Sequence, residues 1–181
     1  MRAGCLAVPI GDAAVAGVAL GAAWALKAFY SHADADALGW ILAPTVRLVS
    51  LSTGVAFEPE PHQGYLCREQ MFLVAPACAG VNFLIVAFVS LALGLVHVCS
   101  SDHARVRLLF GSAAAAYAAT LLANATRIAF ALRLHEAGAA FGPLTPERLH
   151  CALGVAVYFL FLLFLFSVAA RVTGVRHGHA G

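Results

Sequence analysis

Between Met71 and Val98 the chain carries no Asp, Glu, Lys or Arg, a run longer and more apolar than the elements of a water-soluble fold. The hydrocarbon core of a bilayer is about 30 Å thick and takes roughly 20 apolar residues to cross as a helix. Lipid offers no water to backbone N–H and C=O groups, so a spanning segment must satisfy them internally, and a single run of this length does so as an α-helix. Pro76 breaks the run near its start, which places the span proper at 78–98. Three other runs have the same character, at 6–29, 108–132 and 151–170. With 62% hydrophobic and 11% charged residues in 181, the composition is that of an integral membrane protein. The expected fold is all-α, a polytopic transmembrane helix bundle in a single domain, 1–181.

The segment 38–57 is apolar but holds Pro44, Arg47, Ser50, Ser52 and Thr53, and it reads as an interfacial or re-entrant amphipathic helix rather than a span. Residues 58–70, rich in Pro, Gly and charge, read as an aqueous loop. Arg2 and Ala23-Trp24-Ala25 imitate a signal peptide and its cleavage site, yet the first apolar run exceeds the usual length of such a segment. Arg2, Arg105, Arg107, Arg171 and Arg176 fall on one side of the four spans, while Asp34, Asp36, Glu58, Glu60 and Glu69 fall on the other. Short basic segments stay in the cytoplasm, so the expected topology in the cytoplasmic membrane is N-in and C-in.

A formal charge of +2 with no dense Lys/Arg block gives no footprint for nucleic acid. Five cysteines at wide spacing, with no CxxC pair, argue against a disulfide framework or a zinc site. His177 and His179 supply two ligands at most, on the side opposite the acidic loop, so neither a metal nor a cofactor is expected.

The polar residues inside the spans carry the functional signal, because intramembrane ionisable groups are costly and face a bundle interior or an aqueous cavity. Cys78 in PACAGVNF, Arg127 in NATRIAF and His150 in ERLHCALG all fall at the same end of their spans. Asn124 and Arg127, three apart, share a helix face. Gly111, Ala115, Ala119 and Ala123 form a small-residue ridge leading towards that pair. Gly80 permits unusual backbone geometry beside Cys78, and a helix starting there would favour thiolate. Asn82 is placed either to donate to an oxyanion or to bond a neighbouring helix. Singly, each residue has an ordinary reading: Cys78 as apolar filler, Arg127 as a headgroup anchor and His150 as an interfacial histidine, with His135 as its competitor. Together a thiol, a fixed cation and an imidazole are sufficient for a cysteine nucleophile, its general base and its oxyanion partner.

In these three segments, in this order, the chain resembles the exosortase/archaeosortase family of membrane cysteine transpeptidases. The resemblance covers 38–165 and is strongest to the exosortase K subtype. It implies that Cys78 attacks a peptide bond in the C-terminal sorting signal of an exported protein. His150 would serve as base and acid, and Arg127 would steady the oxyanion. The acyl-enzyme would then pass to an acceptor on an envelope glycoconjugate or on membrane lipid. This chain has fewer helices than the family's typical member, and 38–57 is the candidate for the missing wall of the site. Two other readings share the sequence: a non-enzymatic carrier or assembly factor built around Asn124 and Arg127, and a purely hydrolytic intramembrane protease.

Overall fold

The computed structural model describes residues 10–136 and 146–172, with side chains described for 11–134 and 152–172. The described residues form a bundle of five α-helices: α1 Ile10–Tyr30, α2 Gly39–Thr53, α3 Val81–Leu95, α4 Asp102–Glu136 and α5 Pro146–Val172. Among the described residues four segments are long and apolar enough to cross a membrane, Gly11–Tyr30, Pro76–Val98, Asp102–Leu134 and Ala152–Val172. The protein is thus all-α and multi-pass, with spans where the apolar runs predict them.

The most buried of the spans is the one containing α3, which packs against α1, α4 and α5. It buries Val81, Phe83, Leu84, Ala87 and Leu91, whereas α5 leaves Val155, Phe159, Leu160, Leu163 and Phe164 exposed. Such a surface suits the hydrocarbon of a bilayer.

α2 has 15 residues, about 22 Å at 1.5 Å per residue, which is too short to span. It buries Ile41, Leu42, Thr45, Val46 and Val49 and packs against α4. Pro44 lies inside it and has no N–H to give the carbonyl four residues back, that of Trp40. Tyr117 of α4 supplies the missing donor, its hydroxyl lying 2.7 Å from the Trp40 carbonyl, with the two rings stacked at 5.8 Å. The proline is therefore tolerated because a neighbouring helix completes the backbone hydrogen bond.

The expected loop 58–70 is more ordered than its composition suggests. It forms an antiparallel three-stranded sheet, β1 Glu58–Glu60, β2 Gly64–Cys67 and β3 Phe72–Val74. The strands are only three or four residues long, too short for an alternating pattern to register in sequence. The sheet's register (Leu66 opposite Glu58 and Leu73) takes up Met71–Val74, which as apolar sequence merges with the span. His62 joins the hairpin to the α1–α2 connection through Asp36, 2.8 Å away. In that connection Asp34 accepts the Ala37 N–H at 2.8 Å, which is the main reason its carboxyl is held below the usual range.

The small-residue ridge on α4 also differs from expectation. The buried residues are Ser112, Ala116, Ala119, Thr120, Ala123 and Asn124, whereas Gly111 is exposed and Ala115 half-buried. A strict four-residue step drifts by about 40° each time on a helix of 3.6 residues per turn. A ridge projected back from Ala123 has therefore left the buried face by Gly111.

Three contacts fix the ends of the bundle. Arg105 of α4 pairs with Asp12 of α1 at 3.0 Å, so those two helices start at the same end. Lys27 near the end of α1 bonds Asn82 at the start of α3 at 2.8 Å, and Tyr30 bonds the Pro76 carbonyl at 3.5 Å. The second end therefore gathers the end of α1, the sheet and the Cys78 turn.

Candidate active site

Cys78 closes a short 3-10 turn, Pro76–Cys78, that Pro76 starts with its fixed φ and the bonds Cys78 N–H to Ala75 (2.8 Å) and Ala79 N–H to Pro76 (3.0 Å) hold. Cys78 is half-buried and free of disulfide; the buried Cys67 and the half-buried Cys99 are free as well. It precedes α3 rather than beginning it, because Gly80 interposes a left-handed corner at φ +69° and ψ +19°.

That corner turns the Ala79 carbonyl towards α4. Asn124, fully buried, donates from Nδ2 to Ala79 O at 2.7 Å. Its Oδ1 accepts the Tyr158 hydroxyl of α5. Asn124 thus faces inward, bonded to the turn that carries Cys78, and Arg127 lies three residues on along the same helix face.

Gly80 is required twice, for its backbone angle and for its lack of a side chain. A Cβ there would lie 2.7 Å from Asn124 Oδ1. Gly80→Ala is expected to destabilise the protein by roughly 2–3 kcal/mol, from left-handed backbone strain and a displaced Asn124 amide. Thermal unfolding in detergent checks this. Because the clash is with Asn124, the cost of Gly80→Ala should shrink in an Asn124→Ala background.

Arg127 lies one turn beyond Asn124. Its Cζ is 5.5 Å from the centre of the Tyr158 ring, and the α5 backbone at Gly154 leaves it room. Its Nε and Nη2 are buried with no hydrogen-bond acceptor among the described residues. A guanidinium so placed is a fixed cation with unused donors, suited to an anion or a developing oxyanion. Tyr158 joins the two parts of the site, its hydroxyl bonding the Asn124 that holds the Ala79 carbonyl and its ring lying under the Arg127 guanidinium.

His150 belongs to α5, four residues before Gly154, which sets the two one turn apart on one helix face. The His150 side chain lies outside the described residues, as does that of its competitor His135, and His177 and His179 lie outside them altogether. Asn82 is exposed and accepts from Lys27, the helix-bonding alternative of the two expected for it.

The sequence reading missed Tyr158. Its signal was a single phenol in an otherwise apolar run, GVAVYFLFLLFLF. Tyrosine is common at membrane interfaces, so hydropathy alone gave no reason to turn it inward. No family model, curated protein or solved structure matches the chain, and its function must be argued from this site's own chemistry.

Proposed function

We propose that the protein is a membrane-embedded cysteine transpeptidase of the exosortase type. It would cleave the C-terminal sorting signals of exported proteins and transfer them to an envelope acceptor. The observation that carries this reading is the guanidinium of Arg127, whose Nε and Nη2 are buried without an acceptor among the described residues, on the helix face that bonds the turn carrying a free, half-buried Cys78. A structural arginine in a membrane bundle pairs with carboxylates or carbonyls. Donors left open in this way suit charge that arises during a reaction.

In this scheme the Cys78 thiolate attacks the scissile carbonyl and forms a tetrahedral oxyanion that Arg127 stabilises. Collapse expels the amine of the substrate's C-terminal segment, protonated by His150, and leaves a thioester on Cys78. An amine or hydroxyl of the acceptor, deprotonated by the same imidazole, attacks the thioester and regenerates the thiol. The protein's own groups balance every proton transfer. The basic segments at the opposite end support a site on the outer side of the cytoplasmic membrane, where substrate helix, lipid and aqueous acceptor would meet.

The test is to trap the acyl-enzyme. In membranes from the native host, a thioester on Cys78 is expected to release its acyl chain to neutral hydroxylamine as a hydroxamate, absent from Cys78→Ala membranes. The mass at the new C-terminus separates transfer from hydrolysis. If exported proteins keep the same C-termini with and without Cys78, the proposal fails.

A further inference from the structure

We propose that Tyr158 is a positioning residue, whose hydroxyl fixes the Cys78 turn through Asn124 and whose ring holds the Arg127 guanidinium beside that turn. Its consequence for turnover rests on the proposed role of Cys78; the hydrogen-bond relay does not.

Donor and acceptor chemistry sets the direction of the relay. The Ala79 carbonyl can only accept, so the nearby atom of Asn124 must be its amide nitrogen, and the Asn124 oxygen then faces Tyr158. That oxygen can only accept, so the phenol donates. The Tyr158 proton is therefore committed to Asn124 and does not serve the thiol as an acid. Tyr158 acts through other residues.

The ring has a second task. It stacks on Phe83 of α3 with centroids 4.9 Å apart and planes 17° from parallel, and Arg127 lies over it. One side chain of α5 thereby ties together α3, the Asn124–Arg127 face of α4 and, through Asn124, the turn at Ala79. Phenylalanine would meet the hydropathy of the span and the stacking equally well. Only the hydroxyl completes the bond to a fully buried asparagine, whose oxygen is otherwise costly to leave unpaired.

The experiment compares wild type with Tyr158→Phe, Tyr158→Leu, Asn124→Ala and Tyr158→Phe/Asn124→Ala, with Leu160→Ala as control. Leu160 is 63% exposed on the same helix. The first readout is the pH profile of Cys78 alkylation in membranes, in a background without the other four cysteines. Other ionisable groups at this end include Lys27 and Tyr30 of α1, Arg127 of α4, His150 of α5 and the carboxylates and His62 of the α1–α2 connection and the sheet, all constant across the series. Tyr158→Phe keeps the ring and loses the hydroxyl. It should displace the profile to higher pH and slow alkylation at neutral pH severalfold, as the thiol loses its fixed place near the cation. Processing kcat should fall about 10-fold with KM little changed, the order expected for one buried hydrogen bond. Tyr158→Leu, which also loses the ring, should fall about 100-fold. The double variant should match Asn124→Ala alone, because both substitutions break one relay.

A wild-type profile and kcat in Tyr158→Phe would overturn the proposal, as would independent, additive effects of the Tyr158 and Asn124 changes. A displaced alkylation profile in a protein that processes nothing would leave the relay standing and remove the enzyme reading instead.

Discussion

Cys78→Ala and Cys78→Ser are expected to abolish processing of exported proteins, a loss on the order of 10⁴-fold or more, as when an enzyme loses its nucleophile. The protein should still insert, fold and retain its thermal midpoint. Cys78 is half-buried at the end of a 3-10 turn held by backbone bonds and by the side chains of Tyr30 and Asn124, so deleting its sulfur removes little packing and none of these bonds. The serine variant is the sharper of the two, since it keeps size and polarity but is a far weaker nucleophile at neutral pH. A carrier or assembly factor organised around Asn124 and Arg127 would not register either change. Immunoblots that follow the length of substrate proteins in cells carrying each variant provide the measurement, and normal processing in Cys78→Ala would end the enzyme reading.

Arg127→Met is expected to reduce processing by about 10²–10³-fold, the range for loss of a preorganised oxyanion donor, without a fall in stability. The two expectations come from one observation. Nε and Nη2 of Arg127 are buried without acceptors among the described residues, a cost in the resting protein that a methionine of similar length removes. Against this stands the stacking of the guanidinium over Tyr158, about 0.5–2 kcal/mol. Activity and stability should therefore separate, with the thermal midpoint in detergent unchanged or raised while processing collapses. Arg127→Lys should recover little, because an ammonium cannot present the planar fork of donors. Were Arg127→Met to unfold the bundle, the guanidinium would be structural, and the case for an oxyanion site would fall with it.

The spans were legible because hydropathy is a one-dimensional signal: a helix in lipid must be apolar over its whole length, and α1, α3, α4 and α5 announce themselves. In α2, Pro44 and the hydroxyl residues dilute the apolar run, although nothing in sequence shows that Tyr117 will bond the carbonyl that Pro44 leaves open. The sheet was not legible, since three short strands between charged turns look like loop and β3 merges with the span that follows. The position of the buried α4 stripe was misjudged at Gly111 because helical drift cannot be anchored until one contact is known. At the site, the spacing of Asn124 and Arg127 already required a shared face, and the structure shows that face directed towards the Ala79 carbonyl. Tyr158 could not be assigned, because its role depends on which way α5 is rotated, and an almost uniformly apolar helix carries no rotational signal.

The central claim is that Cys78 is a water-accessible nucleophile on the outer side of the membrane. The most direct test is labelling of intact cells with a membrane-impermeant maleimide, in a variant lacking Cys5, Cys67, Cys99 and Cys151, with the same variant carrying Cys78→Ala as the blank. Labelling of Cys78 from outside is the predicted result. Labelling only after the cytoplasmic face is opened would put the thiol where no exported substrate or envelope acceptor can reach it, and would contradict the account.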